Sequence, residues 1–543
     1  MADQLRIALR TPGDLLFLSG PPSLEAQGAL GRAATGMEFS PDAQHMAVRD
    51  DDGVSILSTS SRQELVRLSV AGVTAVAFSR KGTYLTTWHR PSKQEGGGTD
   101  KNLKVWQLSN GAEVLSLHQR SFSRDAWPSV QFVDDESLAF HQVTNAVNIY
   151  ACGNWAAGVS RRMPLKGVAG VAPCPLPAKP LLAAYVPEAK GSPGFIALYD
   201  YSQITASGDA PPPLCRKSFY RANTARFMWN PTGTALLALT ASDVDATNQS
   251  YYGEQKLYFM AADASNECAE GPVHDVQWSP KGDYFLTVAG FMPAKVTLFT
   301  DKCVPKYDLG SGPYSLARWN PFGRFLALAG FGNLPGDVAF YDKKADGKCK
   351  LIATTRAENG VALEWSPDGR CVMASTVAPR LRVDNGVQVF KYDGTLLARE
   401  RRDVLLEARW LPAPEGTFED RPQSPRAAAV GASAAPGGAA GAAAPLPPQP
   451  VRASGYVPPH LRGNPGAAVA AAASFSLARD PNDKGGRIAP GQVKATAAPT
   501  ANLPPGAAPP ASKAASKNAK RRAAAKKKEG EGAAGALSGL QLQ

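Results

Sequence analysis

Val276-Gln-Trp-Ser-Pro-Lys-Gly-Asp-Tyr-Phe-Leu286 reads as strand, tight turn, strand. Val276 and Trp278 fall on one face by the two-residue alternation of a strand. In Ser279-Pro-Lys-Gly282, proline pre-sets φ at the first central position, and glycine accepts the left-handed φ that closes a short hairpin. The next strand, Tyr284 to Ala289, is apolar on both parities apart from Thr287. That is the pattern of a sheet covered on both faces. His274 alternates with Val276 and Trp278 and reads as a satisfied packing residue rather than a ligand.

Copies of this unit recur at Phe39-Ser-Pro-Asp, Phe78-Ser-Arg-Lys-Gly, Trp229-Asn-Pro-Thr-Gly, Trp319-Asn-Pro-Phe-Gly and Trp365-Ser-Pro-Asp-Gly. Weaker forms stand at Phe132-Val-Asp-Asp-Glu, near Val171-Ala-Pro-Cys-Pro and at Trp410-Leu-Pro. From Trp229 the anchors step by 49, 41, 46 and 45 residues. One aromatic-turn hairpin per repeat at this period means propeller blades, and the anchors number nine. The expected fold is all-β, a nine-bladed β-propeller over residues 1–420. Trp278, Trp319 and Trp365 are expected in the core between adjacent blades.

No single blade can bury both of its faces, so the ring must close on itself. Leu5–Leu9 and Leu15–Ser19 look surplus to the first blade, and Val404–Trp410 looks like a blade short of strands. The simplest closure pairs the two ends in one blade. Lys104-Val-Trp-Gln-Leu, Val147-Asn-Ile-Tyr, Ile196-Ala-Leu-Tyr, Lys256-Leu-Tyr-Phe, Lys295-Val-Thr-Leu-Phe, Asp337-Val-Ala-Phe-Tyr and Gly386-Val-Gln-Val-Phe are read as the last strands of their blades.

Charge is distributed unevenly. Residues 421–543 hold sixteen Lys and Arg against four Asp and Glu, whereas residues 1–420 hold 43 of each sign. The basic character belongs to the tail alone. Seven scattered cysteines with no CxxC fit reduced thiols of a cytosolic or nuclear protein better than a disulfide framework or a zinc site. The N-terminus lacks the apolar core and cleavage site of a signal peptide, and no run approaches 18 apolar residues. The expectation is a cytoplasmic protein with no membrane partner.

Three loops exceed what a hairpin needs: Pro91–Asp100, Ser202–Leu214 and Ala241–Gln255. Long loops on a rigid scaffold are where binding concentrates, although solvated insertion is the other reading of the first two. From Arg421 the composition turns to Ala, Gly and Pro with no apolar face to bury, so residues 421–543 are expected to be disordered. Two islands interrupt this tail. Tyr456-Val457-Pro458-Pro459-His460-Leu461-Arg462 is a candidate linear motif. Lys513, Lys517, Lys520, Arg521, Arg522, Lys526, Lys527 and Lys528 place eight cations within 16 residues. Such a segment binds phosphate backbones by counterion release without sequence preference, and no aromatic beside the lysines offers base stacking. The same run also fits a localisation signal or a solubilising charge run.

Catalytic patterns are missing from the sequence. There is no G-x-S-x-G, P-loop, dinucleotide glycine pattern or HExxH, and the six histidines are far apart. The chain is read as not an enzyme, with no cofactor, no metal and no small-molecule substrate.

Thr247-Asn-Gln-Ser-Tyr-Tyr-Gly-Glu-Gln-Lys-Leu-Tyr258 and Gly290-Phe-Met-Pro-Ala-Lys-Val-Thr-Leu-Phe299 resemble the eukaryotic translation initiation factor 2A family. So do Trp319-Asn-Pro-Phe-Gly-Arg-Phe325, Gly330-Phe-Gly-Asn-Leu334 and Val338-Ala-Phe-Tyr-Asp342. The likeness is dense from about Phe219 to Phe418 and extends in the tail to Tyr456–Arg462 and Lys517–Arg522. The SYYG and FGNL words carry it, because propeller geometry does not require them. The resemblance implies a nine-bladed propeller on the small (40S) ribosomal subunit, with a basic C-terminal region for RNA. It implies an alternative, GTP-independent route of initiator methionyl-tRNA delivery, with mRNA and other initiation factors as further partners. Candidate partner-binding residues are then Ser250, Tyr251, Tyr252 and Gly253 in one loop and Phe331, Asn333 and Leu334 in another. Where the family's tail runs on into long charged helices, this sequence passes through Glu529-Gly-Glu-Gly to Gln543. The competing reading is a propeller scaffold for protein partners, either general or similar to the propeller component of initiation factor 3.

Overall fold

The structure, a computed structural model, describes residues 4–423 except 93–98, 190, 205–208, 243–253 and 379. Its 36 strands form nine four-stranded antiparallel sheets, and the only helical turns among the described residues are the short 3-10 segments Cys152–Ala157 and Tyr201–Gln203. The fold is a nine-bladed β-propeller. Blades 1 to 8 span residues 36–68, 73–117, 130–164, 170–219, 224–270, 273–312, 316–356 and 362–401, each with its four strands in chain order. In each of them the anchor aromatic or its weaker equivalent lies on the first strand. First strands touch between blades 1 and 2, 3 and 4, 4 and 5, 6 and 7, and 7 and 8, and between blade 8 and Glu407–Trp410 of the ninth.

Blade 9 is assembled from both ends of the described chain. Its inner strand is Glu407–Trp410, and Arg6–Arg10, Leu15–Ser19 and Glu25–Ala29 follow outward. The joining register is Ile7↔Trp410, Ala8↔Arg409, Leu9↔Ala408 and Arg10↔Glu407. The Arg10 guanidinium also pairs with the Glu407 carboxylate at 3.1 Å. Ile7, Ala8 and Leu9 are fully buried.

The segments read from sequence as last strands, such as Lys256-Leu-Tyr-Phe and Asp337-Val-Ala-Phe-Tyr, are in fact third strands. The fourth strands lie further along the chain. They are Ser265–Glu270 in blade 5, Cys349–Arg356 in blade 7 and Leu396–Arg401 in blade 8, with Glu25–Ala29 exposed at all five positions. A third strand is covered by neighbours on both sides and is apolar. A fourth strand is an edge that faces water and carries little hydrophobic pattern. In eight of the nine blades the third and fourth strands pair through a register shift; blade 4 alone pairs without one. Such bulges bend an open edge away from further strand pairing.

Packing between blades accounts for the core. Nine hydrophobic clusters are present, one at each interface between adjacent blades. Those on either side of blade 9 are built around Leu9, Met373 and Trp410 and around Phe17, Met37 and Met46. The tryptophan anchors add a directional bond. Trp229 Nε1 donates to the Ala172 carbonyl at 3.1 Å, Trp278 to Met228 at 2.9 Å, Trp365 to Arg318 at 2.9 Å and Trp410 to Glu364 at 3.2 Å. Each acceptor lies on the inner strand of the preceding blade. The indole N–H of Trp319 is buried without such an acceptor. Carboxylates reach the other way. Asp275 accepts from the Ala317 N–H and Arg318 Nη1 of the next blade, and Glu364 from the Trp410 N–H. Burial pushes the Glu364 carboxyl above the usual range, and Arg409 beside it opposes that rise. His274 is exposed, with Nε2 at 2.9 Å from the Gly290 carbonyl, so it is satisfied but not packed.

Trp365→Ala empties a large buried site and is expected to lower the unfolding free energy in urea by about 3–5 kcal/mol. Trp365→Phe, which keeps most of the ring but loses the bond to Arg318, should cost nearer 1 kcal/mol. Equal losses would mean that the indole bond, not the volume, holds the interface. Deleting residues 1–19 removes the second and third strands of blade 9 and exposes both flanking clusters. A broadened, early thermal transition by circular dichroism is the expected result.

Candidate functional site

Antiparallel strands sort the connections onto two faces. Links from first to second and from third to fourth strand lie on one, here called the turn face; it carries the repeat turns such as Ser279–Gly282. Links from second to third strand, and from one blade to the next, lie on the other, the crossover face. Among the described residues, the words outside the repeat, Gly290-Phe-Met-Pro293 and Gly330-Phe-Gly-Asn-Leu334, fall on the crossover face. Residues 243–253 join Ser242 to Glu254 in blade 5, 290–293 make the same link in blade 6, 330–336 in blade 7 and 377–385 in blade 8. Large apolar side chains stand exposed there: Tyr220 (65%), Phe291 (59%), Met292 (41%), Val383 (57%) and Val404 (39%). The remaining exposed large hydrophobics, Val304 excepted, lie on or beside outer strands. Exposed apolar loops gathered on one face mark a contact surface.

The loop of blade 7 is rigidly built. The Gly330 N–H donates to the Asp337 carbonyl and the Gly336 N–H to that of Gly330, both at 2.9 Å. Gly336 has φ +91°, and a side chain there would collide with the Ala357 carbonyl oxygen. The Ala357 N–H donates in turn to the Gly336 carbonyl, which ties the loop to the link entering blade 8. Phe331 is buried in the cluster with Ala329, Val338, Ala357 and Trp365. Its ring lies where a Cβ on Gly360 would stand, 2.5 Å away, so only glycine fits there. Ser315 Oγ accepts from the Phe331 N–H and donates to its carbonyl. Arg356 donates Nε to the Pro335 carbonyl at 3.1 Å and pairs with Asp337 at 3.4 Å.

Beside it, residues 377–385 are held by Asn385. This side chain donates to the Leu381 carbonyl at 2.8 Å and accepts from the Leu405 N–H at 3.1 Å. Asn359 Nδ2 bonds Asp384 Oδ2 at 3.1 Å across the gap between the loops. Two shallow cavities, of about 360 Å³ and about 110 Å³, share Glu358 and Asn359 as lining residues. Around them Arg380, Arg382, Arg401, Val383 and Asn333 are exposed. The arrangement is a preorganised surface of cations, amides and aliphatics. Among the described residues it offers no nucleophile paired with a base. Among the described residues, no group of three or more His, Cys, Asp or Glu is placed to hold a metal ion. No helix there is long and apolar enough to cross a membrane.

Of the residues singled out in the sequence, Asn333 is exposed at this surface and Leu334 is half-buried at its edge. Phe331 is a structural pin, not a contact residue. Ser250, Tyr251, Tyr252 and Gly253 lie outside the described residues, as do Tyr456–Arg462 and the eight cations of 513–528. Arg380, Arg382, Val383, Phe291 and Met292 are not singled out by the sequence alone. Gly290-Phe-Met-Pro carries part of the family resemblance, and two large apolar residues side by side in a turn are the available signal. Nothing in Ala378–Asn385 stands out before the loop is seen beside blade 7.

The Eukaryotic translation initiation factor eIF2A family model matches residues 217–408, and a WD domain, G-beta repeat model matches residues 64–107. Eukaryotic translation initiation factor 2A of Schizosaccharomyces pombe is 34% identical over 401 residues, covering 73% of this chain and 67% of that protein. The chain belongs to the eukaryotic translation initiation factor 2A family. The Drosophila melanogaster member is likewise 34% identical, over 78% of this chain and 66% of its own length, and that of Dictyostelium discoideum is 32% identical over 60% of its length. The chain thus spans about two thirds or less of these relatives. A crystal structure described as the eukaryotic initiation factor superposes with a TM-score of 0.68 at 30% identity, covering 76% of this chain and all of that one. The family match, 217–408, runs from blade 4's outer strand to the inner strand of blade 9 and takes in every loop of the surface just described.

Phe331→Ala is expected to lower the unfolding free energy by about 3–5 kcal/mol and to speed amide hydrogen exchange across 330–336 and 357–360. Asn333→Ala, at an exposed position, should leave stability within about 0.5 kcal/mol of the parent. The reverse ranking would place Asn333, not Phe331, as the residue that holds the loop.

Proposed function

We propose that this chain is a cytoplasmic translation initiation factor, not an enzyme, that docks on the small (40S) ribosomal subunit through the crossover face of blades 5 to 8. It assists delivery of initiator methionyl-tRNA by a GTP-independent route. The basic segment Lys513–Lys528 contributes contacts to rRNA, tRNA or mRNA, and other initiation factors are further partners. One observation carries the reading: among the described residues, the family words Gly290-Phe-Met-Pro293 and Gly330-Phe-Gly-Asn-Leu334 interrupt the second-to-third connections of blades 6 and 7, so they belong to one face. The charges of residues 1–420 cancel, so docking there rests on shape, apolar anchors and a few arginines such as Arg380 and Arg382. The tail's charges do not cancel, so its share is electrostatic and indifferent to sequence. A Xenopus laevis component of eukaryotic translation initiation factor 3, 22% identical over 70% of this chain, supports the alternative of a protein-binding scaffold within the initiation machinery.

Sucrose-gradient sedimentation of cell lysate tests the docking face. Asn333→Ala combined with Arg380→Glu and Arg382→Glu is expected to shift the protein from small-subunit fractions to the top of the gradient. Lys281→Glu with Lys302→Glu on the turn face should leave it in place. The opposite pattern would move the contact to the turn face. Association with other initiation factors but not with small subunits would favour the scaffold. For the tail, log K against log salt on single-stranded RNA has a ceiling slope of about −6 if all eight cations meet phosphates. A slope of about −3 is expected, since alanine spacing prevents simultaneous contact. Neutralising Lys520, Arg521, Arg522 and Lys526–Lys528 should flatten that slope and weaken all RNAs alike, with the face variant unchanged in this assay.

A further inference from the structure

Two cysteines from neighbouring blades meet at the rim of the propeller. Cys268 lies on the outer strand of blade 5, Ser265–Glu270, and Cys303 in the turn between the third and fourth strands of blade 6. Their Sγ atoms are 2.7 Å apart. That is inside van der Waals contact and only about 0.7 Å longer than a disulfide bond. No other two of the seven cysteines are hydrogen-bonded to each other among the described residues; Cys152, Cys174, Cys349 and Cys371 are buried, and Cys215 bonds a backbone carbonyl.

Local backbone features aim both thiols. Tyr258 pairs with Glu267 and Leu257 with Ala269, so Cys268 is the extra residue of the outer-strand bulge. A bulge turns its unpaired side chain out of the alternation, here toward blade 6. Cys303 has φ +62°, a left-handed conformation uncommon for a residue with a side chain. It is held there by its N–H bond to the Thr300 carbonyl and by the Thr300 N–H bond to the Val304 carbonyl. Both thiols are half-buried against Phe259, Phe285 and Phe299, and so remain within reach of a small solute.

We propose that Cys268 and Cys303 are a peroxide-sensitive dithiol whose oxidation forms a disulfide between blades 5 and 6. The Cys303 thiolate attacks the peroxide O–O bond, becomes a sulfenic acid and releases hydroxide. The Cys268 sulfur then attacks the Cys303 sulfur, the S–S bond forms and the sulfenic oxygen leaves as water. Two thiols and one hydrogen peroxide give one disulfide and two waters; a thiol reductant reverses the bond. The order of attack follows from the contact. The bond between the two sulfurs lowers the Cys303 thiol below its usual range, and the same bond together with burial raises Cys268. The lower-pKa, partly accessible thiol is the first nucleophile. The disulfide adds a covalent tie across an interface otherwise held by side-chain packing, the Trp278 indole bond and the bond from the Val273 N–H to the Gln255 side chain.

The test uses the full chain, reduced, then treated with one equivalent of hydrogen peroxide and quenched in denaturant with an alkylating agent. After trypsin, mass spectrometry is expected to find Leu257–Lys281 joined to Cys303–Lys306 and two hydrogens lighter than their sum. The other five cysteines should be alkylated, and the protein should remain monomeric on a non-reducing gel. Alkylation of both Cys268 and Cys303 after peroxide would overturn the proposal, as would disulfides spread evenly among the seven thiols. In Cys268→Ser the linked peptide should vanish and Cys303 become labelled by dimedone at least five-fold more than in the parent. A failure of that variant to fold leaves the peptide map of the unsubstituted chain as the deciding measurement.

Discussion

Among the described residues, no strand of one blade pairs with a strand of another, so apart from a few main-chain bonds such as that from the Asp134 N–H to the Pro175 carbonyl, the ring holds together by what side chains do across nine interfaces. Each interface is a separate apolar cluster, and none can form until two blades are in place. Within this packing the anchor indole sets position. Packing alone lets two sheets slide by a fraction of a residue, because dispersion and burial are non-directional. A ring N–H directed at one carbonyl of the preceding inner strand removes that freedom. The carboxylates of Asp275 and Glu364 serve the same end in the opposite sense, accepting from backbone N–H groups one blade ahead. Four tryptophans and two acids thus give six successive blades, 4 to 9, a shared register. The loops on the crossover face inherit that precision, since their stems are the strands so positioned.

The repeat was legible because it joins two independent signals. An aromatic on a short alternating strand says where a sheet packs, and a Ser-Pro-x-Gly turn says where it reverses. Nine anchors counted along the sequence became nine inner strands. The outer strands were not legible. Glu25-Ala-Gln-Gly-Ala29 and Leu396-Leu-Ala-Arg-Glu-Arg401 have no alternation to read, because one edge and most of one face of such a strand stay in water. Bulges in eight of nine outer pairs further break the two-residue period. Followed outward along a blade, the hydrophobic pattern ends at the third strand.

The contact surface was legible only in part. Gly330-Phe-Gly-Asn-Leu334 announces itself as unneeded by propeller geometry, yet its parts divide on folding. Phe331 turns inward, where Gly360 leaves a place for its ring, and Asn333 turns outward. Sequence cannot separate those roles, because the partner that decides them is a glycine 29 positions away. Arg380 and Arg382 are ordinary arginines in an ordinary loop until blade 8 sets them beside blade 7. The physical reason is general to rings. A face is composed of residues that are neighbours by rotation about an axis, not by separation along the chain.

The union of Ile7 with Trp410 bears on how such a chain is made. The inner strand of blade 9 follows its second strand by about four hundred residues of synthesis. At roughly 5–20 residues per second, that is an interval of about 20–80 s. Throughout it, Arg6–Arg10 lacks the strand that pairs with its inner edge. Loop closure grows only logarithmically with length, so the long wait adds little to the final free energy. Its weight falls on the nascent chain instead. Arg6–Arg10 is made long before it is completed, and its edge must be kept from pairing with a stranger until its own partner arrives.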